Sequence, residues 1–362
     1  MDTSLMPRNN FELNQDIKST LVWGRHAPKP PFLTVSIPAY MRGDLLREAL
    51  SSILWQRDGP SFEIVISDDE PFEADEETQA MRLVKELDDP RIVLYHNERN
   101  LGLCANWNRS VSLARSEFVC ALDDDDLLED TYFSEAYRIL SAHPEIDMLG
   151  TKWSVLDQRS LPLQNENKDK SLHTFAEITK KTAENSYGKL TPVNRYLVYP
   201  HIVLLLSGSI IRKTAALKLG GFNNDWFPSM DYAFLAHAAR NTRVFLYNRE
   251  LVKTRILSNT SARPDSVKNC CVSDFKIHEL MRNYYPLWMR PIISFSNRVM
   301  VRTQLDGLNS FWGTNVPYDE VAHELGIGSF YWTSFARVLF KFFMKPFSLY
   351  KLHYISRYSV NV

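Results

Sequence analysis

Residues 117–130, EFVCALDDDDLLED, place four consecutive aspartates directly behind a short apolar run. The apolar part predicts a buried strand that ends where the acidic run begins. Adjacent carboxylates repel one another, so a chain tolerates them where water solvates a turn, where a helix begins or where a cation binds. The residues alone favour a metal site and the two alternatives, a solvated turn or the start of a helix, about equally. The surroundings of the run therefore decide its role.

Three similar apolar runs precede this stretch, and each is followed by a segment with apolar residues at helical spacing. Asp44 is placed to cap the first of these helices. Strands that alternate with helices predict an α/β fold, with a largely parallel sheet covered by helices on both faces. The apolar runs are FLTVSI (32–37), FEIVIS (62–67) and RIVLYH (91–96).

Polar clusters follow three of the predicted strands: PAYMR (38–42), DDE (68–70) and DDDD (123–126). Ligands of open parallel sheets bind beyond the carboxyl ends of the strands. The three clusters are therefore expected to meet in one site.

The composition excludes several classes of protein. The 362 residues carry a net charge of −1, which gives no bulk electrostatic signal for nucleic acid. Four cysteines without CxxC spacing favour a reducing cytoplasm. The first twenty residues lack the apolar segment of a signal peptide. The longest uncharged apolar run, IVLLLSGSII (202–211), is too short to span a bilayer and predicts buried strand.

The spacing of Asp123 and Asp125 suits a divalent cation, because Mg²⁺ and Mn²⁺ take oxygen ligands from one or two carboxylates plus phosphate and water. An EF-hand does not fit, since Leu128 stands where that loop needs glycine. The sequence also lacks the glycine-rich phosphate loops and the HExxH and GxSxG motifs.

Four segments resemble, in order, the successive motifs of the family 2 glycosyltransferases. The resemblance runs from about residue 32 to about residue 257. It implies a GT-A fold with a Rossmann-like sheet, a nucleotide-diphospho-sugar donor, a divalent cation (Mn²⁺ or Mg²⁺) and inversion at the anomeric carbon. The segments are TVSIPAYMRGDLLREALSSILWQ, FEIVISDDEP, ERNLGLCANWNRSVSLARSEFVCALDDDDLLED and SGSIIRKTAALKLGGFNN with SMDYAFLAHA.

The resemblance implies a nucleotide site built from three loops. Tyr40 matches a position that stacks on the base, and Asp69 matches the carboxylate that accepts a pyrimidine N–H, which favours uracil or thymine. Asn100 and Gly102 match the loop that passes the ribose and phosphates. The implied nucleotide-binding residues are Pro38, Tyr40, Arg42, Asp69, Asn100, Gly102, Asp123 and Asp124.

The acidic run matches the family's DxD element, with Asp125 the implied direct metal ligand and Asp123 the second. Asp124 is then a candidate for ribose contact, and Asp126 is expected only to begin the next helix. Asp231 matches the acidic position of the catalytic base, although a first-turn helix acid is the alternative from the residues alone.

The sequence also departs from the family pattern at three places. Met41 replaces the usual asparagine of the first motif, and Met230 stands before Asp231 in place of glutamate. An arginine often follows the third loop in the family, and here Arg99 or Arg109 is left as the candidate phosphate contact.

The predicted organisation is a leader (1–31), a GT-A domain (32–257) and a helical C-terminal region (258–362). The GT-A domain divides into a nucleotide-binding half (32–150) and an acceptor half (151–257), which includes a loop or hairpin over 156–171. Residues 329–362 hold no acid and many aromatics, and Pro346 is expected to break their helix. This composition favours peripheral contact with the inner face of the cell membrane, with packing on the protein's own domain as the alternative.

The sequence therefore predicts a metal-dependent, inverting glycosyltransferase. Its predicted donor is a UDP- or dTDP-sugar, and its acceptor is a glycan or lipid-linked glycan of cell-surface polysaccharide synthesis, with no nucleic acid partner. Two alternatives stay open: a nucleotidylyltransferase that makes the nucleotide sugar, and a non-catalytic relative that binds a nucleotide or glycan.

Overall fold

A computed structural model describes residues 5–71, 76–157, 187–194, 204–256, 262–328 and 334–362. Its strands are β1 (Ser19–Trp23), β2 (Leu33–Ala39), β3 (Phe62–Asp68), β4 (Ile92–Asn97), β5 (Phe118–Ala121), β6 (Leu127–Leu128), β7 (Met148–Asp157), β8 (Lys189–Val193), β9 (Ser209–Arg212), β10 (Val244–Ile256) and β11 (Val360–Asn361). Its α-helices are α1 (Gly43–Leu54), α2 (Gln79–Leu87), α3 (Leu103–Leu113), α4 (Tyr132–Ala142), α5 (Lys213–Leu219), α6 (Met230–Asn241), α7 (Pro264–Met281), α8 (Arg290–Trp312), α9 (Tyr318–Leu325) and α10 (Ser334–Tyr358).

The strands of the described residues form one mixed sheet, in the order β1-β4-β3-β2-β5-β9-β7-β10-β8-β11, with β6 beside β10. The four adjacent strands β4, β3, β2 and β5 are parallel, as the sequence predicts, and β7 is parallel to β10. The remaining neighbours are antiparallel. The predicted α/β fold with a central sheet and a helical C-terminal region is confirmed. The expectation of a largely parallel sheet is wrong, because β1, β6, β8, β9 and β11 pair with their neighbours in antiparallel fashion.

The two faces of the sheet are covered by different apolar clusters. Alternate residues of β5 show this division: Phe118 and Cys120 join one cluster, and Val119 and Ala121 join the other. Helices α1 and α4 cover the first face, and α3 and α6 cover the second. Because side chains alternate along a strand, a strand buried on both faces reads as an uninterrupted apolar run.

Both chain ends are joined to this sheet. Strand β1, within the predicted leader, pairs with β4, and β11 at the C-terminus pairs with β8. Helix α10 packs on α8, where the rings of Phe295 and Phe343 meet edge to face. No helix among the described residues has the length and apolar content needed to cross a bilayer.

Four local predictions are wrong. The N-cap of α1 is Arg42, and Asp44 lies inside its first turn. Asp126 precedes the short strand β6 and no helix begins there. Helix α10 continues through Pro346. Within the apolar run 202–211, which was predicted as strand, residues 204–208 are not in a strand and 209–211 belong to β9. Residues 202–203 lie outside the described residues, as does most of the predicted loop 156–171.

Candidate active site

The three polar clusters contact one another at the carboxyl edge of the parallel strands. The Asp69 N–H donates to the Ala39 carbonyl at 3.0 Å, and the Tyr40 N–H donates to Asp124 Oδ2 at 3.2 Å. Arg42 Nη1 donates to Asp125 Oδ2 at 2.6 Å and to Asp124 Oδ1 at 3.2 Å. The fold therefore brings the ends of β2, β3 and β5 into one polar site.

The four consecutive aspartates have different partners. Asp124 and Asp125 face Arg42, whereas Asp126 accepts the backbone N–H of Arg255 at 2.8 Å. The carboxylate of Asp123 has no hydrogen bond or ion pair in the part of the chain that the structure describes, although its N–H donates to Ser207 Oγ at 3.1 Å. Three carboxylates of the run thus have partners within the protein, and the carboxylate of Asp123 is the one available to a ligand among these four.

The electrostatics of the run also favour a bound cation. Burial raises the pKa of Asp124 to about 7 and that of Asp126 to about 6, although Arg42 and Arg255 respectively oppose the shift. The pKa of Asp123 lies well above its usual range because of burial and then the charges of neighbouring carboxylates, Asp231 among them. A cation beside Asp123 would relieve this repulsion.

The carboxylates fit a divalent cation that is completed by other ligands. Among the described residues, no three histidine, cysteine or acidic side chains form a ready-made metal site. Asp123 and Asp125 would supply two hard oxygen donors, and the Arg42 guanidinium would have to give up its contact with Asp125. Mg²⁺ and Mn²⁺ are commonly held in this way, with phosphate and water as the remaining ligands.

Arg255 is a site residue that the sequence did not reveal. Its side chain is 1% exposed, and its Nε donates to the Asp125 carbonyl at 2.9 Å. Its Nη2 lies 2.6 Å from Glu48 Oε2 on α1. Arg255 therefore ties the acidic run to β10 and α1. An isolated arginine near a strand end carries no local signal of this role, because its partners are more than a hundred residues away.

Asp69 shapes the loop that was predicted to pass the ribose and phosphates. Its Oδ2 accepts the N–H groups of Leu101 at 2.9 Å and Gly102 at 3.0 Å, and its Oδ1 accepts Asn97 Nδ2 at 2.8 Å. Asn100 Oδ1 also accepts the Gly102 N–H, at 2.7 Å. Burial raises the pKa of Asp69. A direct contact of Asp69 with a pyrimidine N–H stays a prediction.

The structure also shows the positions of two predicted nucleotide-binding residues and of the two arginines that are candidate phosphate contacts. Pro38 lies within buried β2, and Tyr40, at the edge, is 45% exposed, so its ring is accessible for stacking. Arg109 donates to the backbone carbonyls of Asn14 and Ile17, and a contact of Arg109 with phosphate stays a prediction. Arg99 remains at the surface, with Asp16 at 3.5 Å.

Asp231 occupies the first turn of α6, where its Oδ1 accepts the N–H of Tyr232 at 2.7 Å. Burial raises the pKa of Asp231. Its charge contributes to the raised pKa of Asp123, so the two carboxylates are near enough to interact. The site therefore combines the buried carboxylates of the acidic run with a separate carboxylate on α6.

Comparisons with known proteins bear on this geometry. Residues 34–194 match the family Glycosyl transferase family 2. A glycosyl transferase assigned to colanic acid biosynthesis in Escherichia coli K12 is 35% identical over 96 residues, 26% of this chain and 33% of the relative. The GalNAc(5)-diNAcBac-PP-undecaprenol β-1,3-glucosyltransferase of Campylobacter jejuni is 32% identical over 152 residues, 42% of this chain and 47% of the relative. The chain thus spans a third to about half of these relatives.

A solved structure agrees with the fold. A mannosyltransferase from Pyrobaculum calidifontis, in complex with GDP-Man and Mn²⁺, superimposes with a TM-score of 0.50 at 15% identity. The alignment covers 90% of this chain and 88% of that protein. At this level of identity the similarity establishes the GT-A architecture alone.

Proposed function

We propose that this chain, which carries a family 2 glycosyltransferase domain in residues 34–194, moves a sugar from a UDP- or dTDP-sugar to a glycan or lipid-linked glycan. The proposal includes inversion at the anomeric carbon and a role in cell-surface polysaccharide synthesis. The observation that carries it is the polar edge, where an unpaired Asp123 carboxylate lies within electrostatic range of Asp231.

In this proposal the acidic run holds the donor's diphosphate through a divalent cation. Asp123 and Asp125 would be the protein's ligands, and the bound cation would supply positive charge for the departing diphosphate. Arg42 lies in the loop between β2 and α1 and contacts Asp125. In this proposal its guanidinium releases Asp125 and binds the same diphosphate. Tyr40 and Asp69 would bind the base, which favours uracil or thymine.

Asp231 acts in this proposal as the single general base. Sugar transfer with inversion is one displacement, so one carboxylate is enough to remove the proton from the acceptor hydroxyl. The raised pKa of Asp231 makes it a stronger base than a solvated aspartate. Asp231 lies on α6, a different element from the acidic run that would hold the donor's diphosphate.

A donor screen tests the proposal. Release of nucleoside diphosphate should be measured with UDP-glucose, UDP-N-acetylglucosamine, UDP-galactose, dTDP-rhamnose and GDP-mannose, with and without Mn²⁺. We expect Mn²⁺-dependent release from a UDP- or dTDP-sugar. Pyrophosphate release from UTP and glucose 1-phosphate would instead support a nucleotidylyltransferase. Activity with GDP-mannose alone would contradict the assignment of Tyr40 and Asp69 to a site for uracil or thymine.

Two pairs of variants test the assigned residues. Asp125→Asn should lose Mn²⁺-dependent turnover, whereas Asp130→Asn, at an exposed ion pair with Arg57 nearby, should keep it. Asp231→Asn should lose transfer while still binding UDP, and Asp225→Asn, in an exposed pair near α6, should transfer normally. Full activity of Asp231→Asn would assign the base to another residue.

The membrane contact is a separate part of the proposal. Phe335, Val338 and Phe342 are 63, 63 and 72% exposed, and their spacing places them along one face of α10. We propose that this face contacts an anionic lipid surface. Because α10 packs on α8 and β11 completes the sheet, substitution tests the idea better than truncation.

The test is flotation with phosphatidylglycerol vesicles. The triple variant with serine at the three exposed positions of α10 should float several-fold less than the wild type. A control with Trp55→Ser, a 78% exposed residue at the end of α1, should float normally. Equal flotation of the triple variant would show that this face does not bind the lipid surface.

A further inference from the structure

Helix α7 contacts the segment that carries Asp231, and both lie outside the residues that match the family. Ser273 Oγ donates to the Phe227 carbonyl at 3.3 Å, just before α6. His278 Nε2 lies 2.8 Å from the hydroxyl of Tyr232, the residue that follows Asp231. The helical C-terminal region therefore packs against the start of α6, the helix that carries Asp231.

Asp274 lies on α7 between the two residues that make these contacts. Its carboxylate accepts a hydrogen bond from the Ser229 hydroxyl, two residues before Asp231, and from Gln304 Nε2 of α8 at 2.5 Å. The Cys270 thiol, on its own helix, lies 3.9 Å from Asp274 Oδ2. Asp274 is thus linked to the base-bearing segment on one side and anchored to α8 on the other.

We infer that Asp274 is a positioning residue for the base: through Ser229 it fixes the start of α6, where Asp231 lies. This inference rests on the proposed function of Asp231. It assigns a role in the reaction to the C-terminal region, which the family match does not cover.

The charges around Asp274 support this role. Burial raises the pKa of Asp274 to about 6, and the negative charge of Asp231 adds to the shift. The other titratable groups that face it are the thiols of Cys270 and Cys271, whose pKa values are raised by burial and then by Asp274, so they stay neutral. Two interacting carboxylates lose their protons in two steps. Once Asp274 is ionised, a proton on Asp231 is held more strongly.

Asp274→Asn removes the charge while keeping the shape of the side chain. We expect the acidic limb of the kcat–pH profile to move to lower pH, since the two carboxylates no longer interact. We expect kcat at pH 8 to fall about 3- to 10-fold, because a weaker base transfers protons less efficiently. The KM for the donor should not change, and Asp274→Glu should restore most of kcat. The assay uses the most active nucleotide sugar of the screen.

Glu279→Gln is the matched control on the same helix. Its carboxylate accepts hydrogen bonds from Ser294 and Asn297 of α8, so it faces away from Asp231. This variant should keep the wild-type pH profile. If Asp231→Asn abolishes transfer but the Asp274→Asn profile is unchanged, the inference about Asp274 fails and the proposed base stands.

A second measurement does not depend on turnover. The folded-state pKa of Asp274, about 6, lies above its ordinary value of 3.8, so its ionisation costs stability as the pH rises from about 4 to about 6. The thermal midpoint of the wild type should therefore fall over this range relative to that of Asp274→Asn. Parallel curves for the two proteins would overturn the inference.

Discussion

Arg255→Met tests how the acidic run is held in place. Arg255 lies on β10, its side chain is 1% exposed, and it donates to the Asp125 carbonyl and contacts Glu48. Methionine occupies similar space along the aliphatic stem but cannot donate or carry charge. The variant therefore removes the polar link between β10, the acidic run and α1 while leaving the packing nearly intact.

The expected loss can be worked out from these contacts. A buried hydrogen bond from a charged donor contributes about 1.5–3 kcal/mol. The ion pair adds about 0–1 kcal/mol, because the side chain of Glu48 is 54% exposed and solvent screens the pair. We therefore expect the free energy of unfolding to fall by about 1.5–4 kcal/mol, the sum of these two contributions.

The measurement is urea unfolding followed by tryptophan fluorescence. Arg57→Met is the matched control, since Arg57 is 73% exposed and pairs with Asp130 at 3.1 Å near the same run. The control should lose less than about 1 kcal/mol. An equal loss in both variants would refute the idea that Arg255 secures the acidic run, and so would a loss in Arg255→Met of less than about 0.5 kcal/mol, the size of a neutral surface change.

Three further outcomes are expected. Gly208→Ala should cost about 1–3 kcal/mol more than Gly102→Ala in urea unfolding: both have positive φ (+76° and +79°), but only the Gly208 Cβ would meet Val252, at 2.3 Å. Similar losses would contradict the clash. Asp69→Asn should weaken UDP binding about tenfold in calorimetry, since an amide cannot accept the same loop N–H groups as well; unchanged affinity would argue against it. Tyr40→Ala should weaken UDP binding by about 1–3 kcal/mol without altering the thermal midpoint, if the exposed ring stacks on the base.

Most of the sheet and the place of the site followed from local patterns. The apolar runs of β2, β3 and β5 are short and bounded by polar residues, so their strands could be predicted from the chain alone. Parallel strands end at one edge, and this rule correctly placed the clusters at 38–42, 68–70 and 123–126 together. Asp126 was misjudged, because antiparallel pairing of Leu127 and Leu128 with β10 favours a short strand there.

The C-terminal helix shows the limit of a local rule. Proline removes one backbone donor and usually ends a helix, which is why a break at Pro346 was expected. In the structure α10 has packing contacts on both sides of this position. Phe340 and Tyr354 pack against the apolar cluster that includes α3 and α6, and Phe343 contacts Phe295. Tertiary packing outweighs the local cost of proline in this helix.

Local patterns in the chain were enough to predict the alternation of strands and helices, the edge at which polar side chains collect, and Asp123, Asp125 and Asp231 as candidate site residues. The contacts of Arg42 with Asp124 and Asp125, that of Arg255 with Asp126, and the place of Asp274 near the start of α6 became known only from the folded chain. The two kinds of feature depend on residues at very different separations along the chain. Strand and helix periodicity are set by neighbours a few residues apart, whereas charge pairing depends on groups that folding brings together from distant parts of the chain.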